Sequence, residues 1–446
     1  MATVIPFRGI RYNPDKIKNL ADVVTPPYDV IDTAGQDRYY QRHPHNIIRL
    51  EYGKVFDGDG PDNNRYTRAA ACYRDWLKEN ILVQEKDRAL YLYEQEFTAG
   101  GRRKVRSALV CSVRLEPYEK GIVLPHEETM PKHKADRLEL MRACRANFSP
   151  IFSLYTDPDM AVTTVLRDAS GKRQPDAVLT DENGEVHRLW VITDGIAISS
   201  IQRIMADRQI FIADGHHRYE TALNYRAEAG AAGGGAGDPA YNYAMMTLVN
   251  LYDPGLVILP THRLLKNISE TDLASLPGRL RDNFRLEEFP LAPGKENFGS
   301  FMNELAVRGS GPAGPYPHRH VFGVYLDGRL YFATLKNEEG LAALMPPDKS
   351  PAWQGLDVSV LHCLAIEKYL GVGGELRARG EHITYTREEE GALLAVDRKE
   401  YQLAFFLNPT LVEEVTTVAA NGEKMPQKST YFYPKMITGL VINSLL

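Results

Sequence analysis

Apolar residues recur at helical spacing in several parts of the chain. Between residues 65 and 79 they occur every three or four positions, which predicts an amphipathic helix with one face on the core. The same spacing after Gly215 predicts a helix that begins near His216. Four further segments with this pattern are predicted as helices: 135–147, 272–283, 297–306 and 358–369.

Short apolar runs and alternating segments predict strands. Two of them, 89–97 and 107–115, flank Gly100 and Gly101, and this arrangement predicts a hairpin. Apart from the predicted strand 46–52, residues 1–60 carry turn residues rather than long helices. The other predicted strands are 46–52, 151–155, 177–180, 187–192, 210–213, 245–251, 256–259, 321–325, 330–335, 392–396 and 403–407.

This mixture of helices and strands predicts a mixed α/β (α+β) fold. With 446 residues, 43% of them hydrophobic, the chain is long enough to bury a sizeable core. We predict one boundary near residue 260, between a core at 1–260 and a C-terminal α/β lobe at 261–446. The segment 229–237 is almost entirely alanine and glycine, which indicates a flexible loop that is either a lid or a tolerated surface insertion.

The most informative segment is the strand–turn–helix pattern that starts at residue 210. The apolar run 210–213 predicts a buried strand, and Asp214-Gly215 is a turn signal ahead of the helix. A helix that starts from such a turn directs its free N–H groups and the positive end of its dipole at one place. That geometry suits an anion such as phosphate, so Gly215 and His216 are predicted to bind phosphate.

Polar side chains crowd this turn, because Asp214, His216, His217 and Arg218 lie within five residues. Burying four such groups without partners is costly, so we predict that a ligand binds among them. The alternative is that they serve folding alone. In that case Asp214 would cap the helix, and the basic groups would pair with acids such as Glu220.

The loop at 125–137 combines imidazoles, carboxylates and basic side chains between prolines. Glu127 is a candidate general base, because a positioned carboxylate can take a proton from a reacting group. Lys132, Lys134 and Arg137 are candidates to screen phosphate charge. The alternative is a solvated loop that leads into a capped helix.

A second candidate segment lies at 425–435. The Gly-x-x-x-x-Gly-Lys framework of a P-loop is absent from it, but its tyrosines could stack on a nucleotide base. The alternative is a terminal strand whose aromatic residues pack on the core. We predict that this segment and the 125–137 loop both fold back onto the Asp214 turn. The residues of a type that binds phosphate are Lys428, Ser429, Thr430 and Lys435.

Composition excludes several classes of function. The net charge of −5 and the lack of a helix-turn-helix signal argue against duplex DNA as a partner. The four cysteines form no Cys-x-x-Cys pair, so neither a disulfide framework nor a zinc ribbon is expected. No stretch approaches the ~20 apolar residues of a membrane span, and the first residues lack a signal-peptide pattern. We therefore expect a cytoplasmic protein without a membrane partner.

The segment Asp214-Gly-His-His-Arg-Tyr-Glu220 resembles the signature turn of the ParB/sulfiredoxin superfamily. That superfamily includes ParB-type nucleotide hydrolases, sulfiredoxins and ParB-like kinases that phosphorylate free serine, and this turn holds nucleotide phosphates in them. The resemblance implies a ParB/sulfiredoxin-like core with additional lobes. Sulfiredoxin activity is not expected, because histidine stands where that chemistry needs a reactive cysteine.

Six segments together resemble a bacterial and archaeal family that is described as a domain of unknown function. They are Thr25–Ile31, His126–Thr129, Ala135–Leu138, Asp214–Glu220, Pro260–Leu264 and Met425–Lys435. The resemblance covers nearly the whole chain and leaves the chemistry open.

These features predict a phosphotransferase that acts on a small-molecule substrate. It would act between ATP, ADP or pyrophosphate and a metabolite hydroxyl. The resemblance makes free L-serine the candidate substrate, or phosphoserine in the reverse direction. His217 and Glu220 share a helix face, but a third metal ligand is missing, so we expect Mg²⁺ bound with the phosphates instead of a protein-built metal site. Two alternatives are a ParB-like nucleotide hydrolase or switch and a non-enzymatic binding protein for a small ligand.

Each candidate residue has a predicted role. Arg218 would offset the charge that develops during transfer, and Asp214 would position the substrate or the metal. In the serine kinases that the chain resembles, a glutamate takes the hydroxyl proton, and we assign that role to Glu127. The predicted catalytic residues are Asp214, His217, Arg218 and Glu127. The residues predicted to bind the nucleotide are Gly215, His216, Lys428, Ser429, Thr430, Lys435, Lys132 and Arg137.

Overall fold

The structure is a computed structural model that describes residues 2–127, 131–231, 237–312, 316–374, 376 and 380–446, without the side chains of 131–133. The chain forms two compact units. The first comprises Met1–Val257 and Phe432–Leu446, and the second comprises Ile258–Tyr431. The first unit therefore includes Phe432–Leu446, which lies within the predicted C-terminal lobe 261–446.

Helices occur in both units and, with the strands, confirm the mixed α/β class. A π-helical segment, His362–Glu367, joins α11 to α12. The helices are α1 (Thr33–Arg42), α2 (Ile48–Glu51), α3 (Arg65–Lys78), α4 (Pro131–Cys144), α5 (Ala161–Ser170), α6 (Gly195–Met205), α7 (His216–Ala231), α8 (Glu270–Asn283), α9 (Phe298–Gly309), α10 (Pro351–Gln354), α11 (Asp357–Leu361), α12 (Lys368–Leu370), α13 (Glu389–Asp397) and α14 (Val412–Ala420).

The strands are short, apart from one long hairpin. They are β1 (Val4–Ile5), β2 (Ile10–Tyr12), β3 (Leu82–Gln84), β4 (Leu90–Ala99), β5 (Arg102–Arg114), β6 (Val123–Leu124), β7 (Ala146–Asn147), β8 (Ile151–Tyr155), β9 (Ala177–Thr180), β10 (Val186–Ile192), β11 (Ile210–Asp214), β12 (Tyr243–Asn250), β13 (Val257–Ile258), β14 (His262–Leu265), β15 (Phe284–Phe289), β16 (Val321–Leu326), β17 (Arg329–Leu335), β18 (Ile383–Thr386), β19 (Leu403–Phe406), β20 (Phe432–Tyr433) and β21 (Asn443–Ser444).

A mixed sheet forms the centre of the first unit. In the part of this unit that the structure describes, eight strands follow the order β6-β11-β8-β12-β5-β4-β10-β9, and β1 pairs with β5. β11 runs parallel to β6 and β12 runs parallel to β8. The β4–β5 hairpin turns at Gly100 and Gly101, whose φ angles are +56° and +70°, so the predicted hairpin is confirmed.

Two of the apolar clusters in the described part of the first unit pack its helices. The larger one packs α5, α6 and α7 on the sheet through residues such as Leu166, Ile201 and Tyr219. The second packs α3 against α4 through residues such as Trp76 and Leu140. Helix α4 also packs on α7, and the ion pairs Lys134–Glu220 and Arg142–Glu228 show that the two helices run in the same direction, so their N-terminal segments lie in one region.

The second unit is built on an antiparallel sheet in the order β15-β17-β16-β19-β14-β18. Helices α9 and α13 pack on it through a core that includes Phe301, Leu305, Leu393 and Phe406. In the described residues of both units, no helix has the length and apolar character needed to cross a membrane.

Two predicted strands are wrong. The segment 46–52 contains α2, because Ile48, Leu50 and Glu51 are all buried instead of alternating between two faces. The segment 392–396 lies in α13, where Leu393 is buried and Leu394 is exposed. The prediction that turns dominate residues 1–60 also missed α1. Of the alanine–glycine segment, 232–236 lie outside the described residues.

Candidate functional site

The predicted strand–turn–helix is present at 210–231. β11 ends at Asp214, Gly215 has a φ of +94°, and α7 begins at His216. A Cβ at Gly215 would lie 2.8 Å from Arg218 Nε and 2.9 Å from its Cζ. Glycine is therefore needed twice here, for a left-handed backbone and for the close approach of a guanidinium group.

Arg218 folds back over the turn and is held there by its own hydrogen bond. Its Nη1 donates to the carbonyl oxygen of Pro150, and its Nη2 lies 3.8 Å from Asp214 Oδ2. The side chain is 10% exposed. One edge of the guanidinium is thus held by the protein, and the group adds positive charge to the first turn of α7.

Lys435 contributes a second positive charge to the same carboxylate. Its Nζ donates to Asp214 Oδ2 at 3.1 Å. Burial alone would raise the pKa of Asp214, but Lys435 and Arg218 together bring that pKa well below its ordinary value. Asp214 is therefore ionised at physiological pH and acts as a charge partner; it is a poor proton acceptor.

Buried polar groups hold Lys435 in position. Arg106, which is 1% exposed, donates to the carbonyl oxygens of Tyr433 and Pro434 and to Gln95 Oε1. Gln95 Nε2 donates to the carbonyl oxygen of Lys435 at 3.0 Å. Burial lowers the pKa of Arg106 to about 10, which keeps the guanidinium charged at neutral pH. Nothing in the local sequence pattern marks Arg106 or Gln95 as part of the site.

The predicted loop 125–137, of which residues 131–137 form the start of α4, reaches the turn through His126 and Glu127. The amide N–H of His126 donates to His216 Nε2 at 3.3 Å, and the two rings meet edge to face with centroids 4.8 Å apart. Glu127 Oε2 lies 4.0 Å from His216 Nδ1. His216 is 4% exposed, whereas the Glu127 side chain is 33% exposed. The structure thus brings a partly exposed carboxylate to the start of α7.

His126 is a buried, neutral imidazole. Its Nδ1 lies 2.7 Å from the carbonyl oxygen of Ile212, which can only accept, so Nδ1 carries the proton. Burial lowers the pKa of His126, in agreement with a neutral ring. This hydrogen bond connects the segment that contains His126 to β11 at Ile212, two residues before Asp214.

Further along α4 and α7, two charged side chains meet. Lys134 Nζ lies 2.9 Å from Glu220 Oε2, so this predicted cation reaches the α7 helix and pairs with an acid there. His217 is half-buried in the first turn of α7. Lys132 belongs to α4, but its side chain lies outside the described residues.

Arg137 is committed to protein partners. Its Nη1 donates to the carbonyl oxygen of Glu51 at 2.8 Å, its Nε and Nη2 donate to Asp136 Oδ2, and its guanidinium lies 4.0 Å from the ring centroid of Tyr28. With Arg218 it lines a cavity of about 40 Å³, which has room for a few water molecules and not for a nucleotide. Nucleotide binding by Arg137 stays a prediction.

Three predicted ligands belong to the second unit. The Ser429 hydroxyl donates to the carbonyl oxygen of Pro426, and the Ser429 carbonyl accepts from Thr410 Oγ1 at 2.8 Å. The Lys428 carbonyl accepts from Arg263 Nη2 at 3.1 Å. Binding of nucleotide by Lys428, Ser429 and Thr430 stays a prediction.

A family profile described as "Protein of unknown function (DUF1015)" matches residues 4–359. The chain belongs to this family. The segment Met425–Lys435, which contributes to the sequence resemblance, lies beyond the matched residues. None of the curated proteins matches the chain.

Several solved structures show distant similarity. A conserved hypothetical protein from Pyrococcus furiosus is 14% identical with a TM-score of 0.34, over 76% of this chain and 97% of that one. A free serine kinase in complex with AMP is 14% identical with a TM-score of 0.35, over 75% and 92% of the two chains. A mutant free serine kinase in complex with ADP is 14% identical with a TM-score of 0.34, over 76% and 93%. The relation to the ParB/sulfiredoxin superfamily stays a prediction.

Proposed function

We propose that the first unit binds the phosphates of ATP, ADP or pyrophosphate at the turn 214–220 and transfers a phosphoryl group to the hydroxyl of a small metabolite. L-serine is the candidate acceptor because of the sequence resemblance. The observation that supports the proposal best is the 4.0 Å separation between Glu127 Oε2 and His216 Nδ1 at the first turn of α7. A carboxylate and the start of a helix, a place where proteins commonly bind anions, thereby share one small region.

The phosphate-binding part of the proposal rests on the start of α7. The bond from the Tyr219 amide to the Gly215 carbonyl, 3.0 Å long, opens the α-helical ladder. Amides ahead of that bond point beyond the helix end, and such groups bind phosphate together with the helix dipole. Arg218 and Lys435 would supply two fixed cations for the phosphate charge.

Asp214 would act through charge and position. Because its pKa is well below the ordinary value, it is a carboxylate at physiological pH. An ionised oxygen donor beside phosphates fits Mg²⁺, which is commonly held by one or two carboxylates plus the phosphate oxygens. Magnesium, when bound, would neutralise phosphate charge. Asp214 would also keep Lys435 and Arg218 oriented towards the turn.

Glu127 would serve as the base. In the proposed step it accepts the proton of the acceptor hydroxyl while the hydroxyl oxygen forms a bond to the terminal phosphorus of the donor. The bond from that phosphorus to its bridging oxygen breaks, and the shortened nucleotide or phosphate leaves. Arg218 and Lys435 would stabilise the negative charge on the transferring group.

A donor screen tests this function. The purified protein is incubated with Mg²⁺ and ATP, ADP or pyrophosphate, with and without L-serine, and free phosphate and phosphoserine are quantified. Phosphoserine formed from one of the donors is the expected result. Phosphate release that does not depend on serine would instead identify a nucleotide hydrolase, and binding without turnover would identify a ligand-binding protein.

A further inference from the structure

A histidine–carboxylate cluster lies in the second unit, and none of its residues belongs to the proposed phosphate site. Two of its histidines immediately precede β16, and its aspartate begins α11. One glutamate follows β17, and the other lies in the first turn of α14. We define the cluster as His318, His320, Asp357, Glu338 and Glu414.

The inner atoms of the cluster converge on one carboxylate oxygen. Asp357 Oδ1 lies 3.1 Å from His318 Nε2 and 2.7 Å from His320 Nδ1. One donor atom from each of these three residues lies within 4.8 Å of the other two. Ligand atoms about 2.0–2.2 Å from a tetrahedral zinc ion are roughly 3.3–3.6 Å apart, so opening the 2.7 Å contact by less than about 1 Å would admit an ion.

The outer nitrogens of both histidines face carboxylates. His318 Nδ1 lies 3.4 Å from Glu414 Oε1, and His320 Nε2 lies 3.5 Å from Glu338 Oε2. Histidines that ligate a metal through one nitrogen commonly donate the other N–H to a carboxylate, which fixes the tautomer and the ring orientation. Both histidines have this arrangement around the same inner point.

Hydrogen bonding within the cluster is incomplete. His320 is 0% exposed, yet its Nε2 has no hydrogen-bond partner among the described residues, and the same is true of His318 Nδ1 and Glu338 Oε2. Leaving buried polar atoms without partners is costly, and native proteins rarely do so without a reason. A metal on the inner nitrogens would fix both outer nitrogens as N–H donors and draw them to their carboxylates.

Charge also favours a bound cation. Three carboxylates face two imidazoles, so the cluster carries net negative charge when all three carboxylates are ionised. Across the described ranges of the chain, no lysine or arginine forms an ion pair with Glu338, Asp357 or Glu414. Buried charges in proteins are paired or coordinate a metal ion, and the only ion-pair partners of these carboxylates among the described residues are the two histidines.

We propose that His318 Nε2, His320 Nδ1 and Asp357 Oδ1 bind a divalent transition-metal ion, with Glu414 and Glu338 holding the outer nitrogens of the two histidines. Two imidazoles and a carboxylate suit zinc and its neighbours, whereas magnesium prefers an all-oxygen shell. Three protein ligands leave a further coordination position open to water or a substrate atom.

Metal titration of the protein tests the site. The protein is stripped with a chelator, and zinc alone is titrated in competition with a chromophoric chelator; bound metal is counted by mass spectrometry. We expect one tightly bound zinc ion per chain at this cluster and no competition from magnesium. Cobalt should give the visible absorption of a low-coordinate site with nitrogen and oxygen ligands.

Variants assign the ion to the cluster. His318→Gln and Asp357→Asn should abolish tight binding, and Glu414→Gln should weaken it about 10–100-fold. His187→Gln is the matched control, because His187 forms a comparable buried group with Asp181 and Glu185 in the first unit. Circular dichroism checks each fold. The proposal would be overturned if the wild-type protein failed to bind zinc. It would also be overturned if His187→Gln lost the ion while Glu414→Gln retained it at full affinity.

Discussion

Lys435 Nζ lies 3.1 Å from Asp214 Oδ2, although 221 residues separate the two in sequence. The end of the chain therefore completes the strand–turn–helix segment in the first unit. Arg106 and Gln95 hold the backbone that carries Lys435, and Arg218 approaches the same carboxylate from α7. In our account this pair of cations prepares the turn for phosphate.

Replacing Lys435 should therefore weaken nucleotide binding. We expect Lys435→Met to raise the dissociation constant of ADP about tenfold or more, since a charge-assisted contact to phosphate is lost. Lys104→Met is the control, because Lys104 is a cation whose Nζ donates to the Pro254 carbonyl at 3.2 Å. Isothermal titration calorimetry measures both variants. Equal affinities in the two would show that Lys435 serves only to pair with Asp214.

Turnover should depend on the first turn of α7. His217→Ala and Arg218→Ala are expected to reduce kcat by ~10²–10³ while the fold is retained, as for removal of one charge-stabilising donor. Arg226→Ala is the control: Arg226 lies on the same helix and also donates to a backbone carbonyl, that of Leu115. Steady-state kinetics and thermal melts separate the effects. A collapse of the melts without any activity in the wild type would assign the turn a purely structural role.

The turn should not tolerate a side chain at Gly215. Gly215→Ala places a methyl group in a left-handed backbone and 2.8 Å from Arg218 Nε, so we expect a loss of more than about 1 kcal/mol in the free energy of unfolding. Gly230→Ala, in the exposed end of the same helix with nothing within 4 Å, should be neutral or stabilising by about 0.4–1 kcal/mol. Urea unfolding measures both, and equal effects would contradict the geometry.

Acidification should destabilise the protein through His126. Burial lowers the pKa of His126 in the folded state, so below about pH 6.5 the unfolded chain binds a proton that the folded chain does not. The stability is present above the unfolded pKa and is lost as the pH falls. His126→Gln should reduce the slope of the free energy of unfolding between pH 7 and 5 by up to about 1.4 kcal/mol per pH unit. An unchanged slope would show that the ring titrates freely in the folded protein.

Duplex DNA should not be a specific partner. A net charge of −5 gives no general attraction for a polyanion, and specific sites typically bind at ~10⁻⁸ M or tighter. We expect no saturable shift of a defined duplex in the nanomolar range at about 150 mM salt. A shift that survives non-specific competitor would extend the ParB resemblance beyond the Asp214–Glu220 turn.

The sequence predicts local features of this protein well. The β4–β5 hairpin and the β11–turn–α7 segment are encoded by short patterns, because a change of apolar period and two glycines suffice to define them. The predicted strand at 46–52 fails for the opposite reason. Glu51 is buried and forms an ion pair with Arg137, and the local spacing of apolar residues does not predict such a contact.

Long-range contacts explain what the sequence could not provide. Periodicity shows which face of a helix is buried, but it does not show that Arg106 meets Pro434 or that Arg218 meets the Pro150 carbonyl. The sequence likewise does not reveal the cluster that we propose as a metal site. The His318-x-His320 pair is visible in the sequence, whereas its partner Asp357 lies 37 residues beyond His320.

The central claim is that the Asp214–Glu220 turn catalyses phosphoryl transfer with Glu127 as the base. The most direct measurement is phosphoserine formation, followed by mass spectrometry, for the wild type, Glu127→Gln and the control Glu119→Gln. Glu119 is an exposed glutamate in the 3-10 helix Tyr118–Lys120. We predict serine-dependent product in the wild type and in Glu119→Gln, with a loss of ~10²-fold or more in Glu127→Gln. No phosphoserine from any donor in the wild type, or equal rates in the two variants, would contradict the claim.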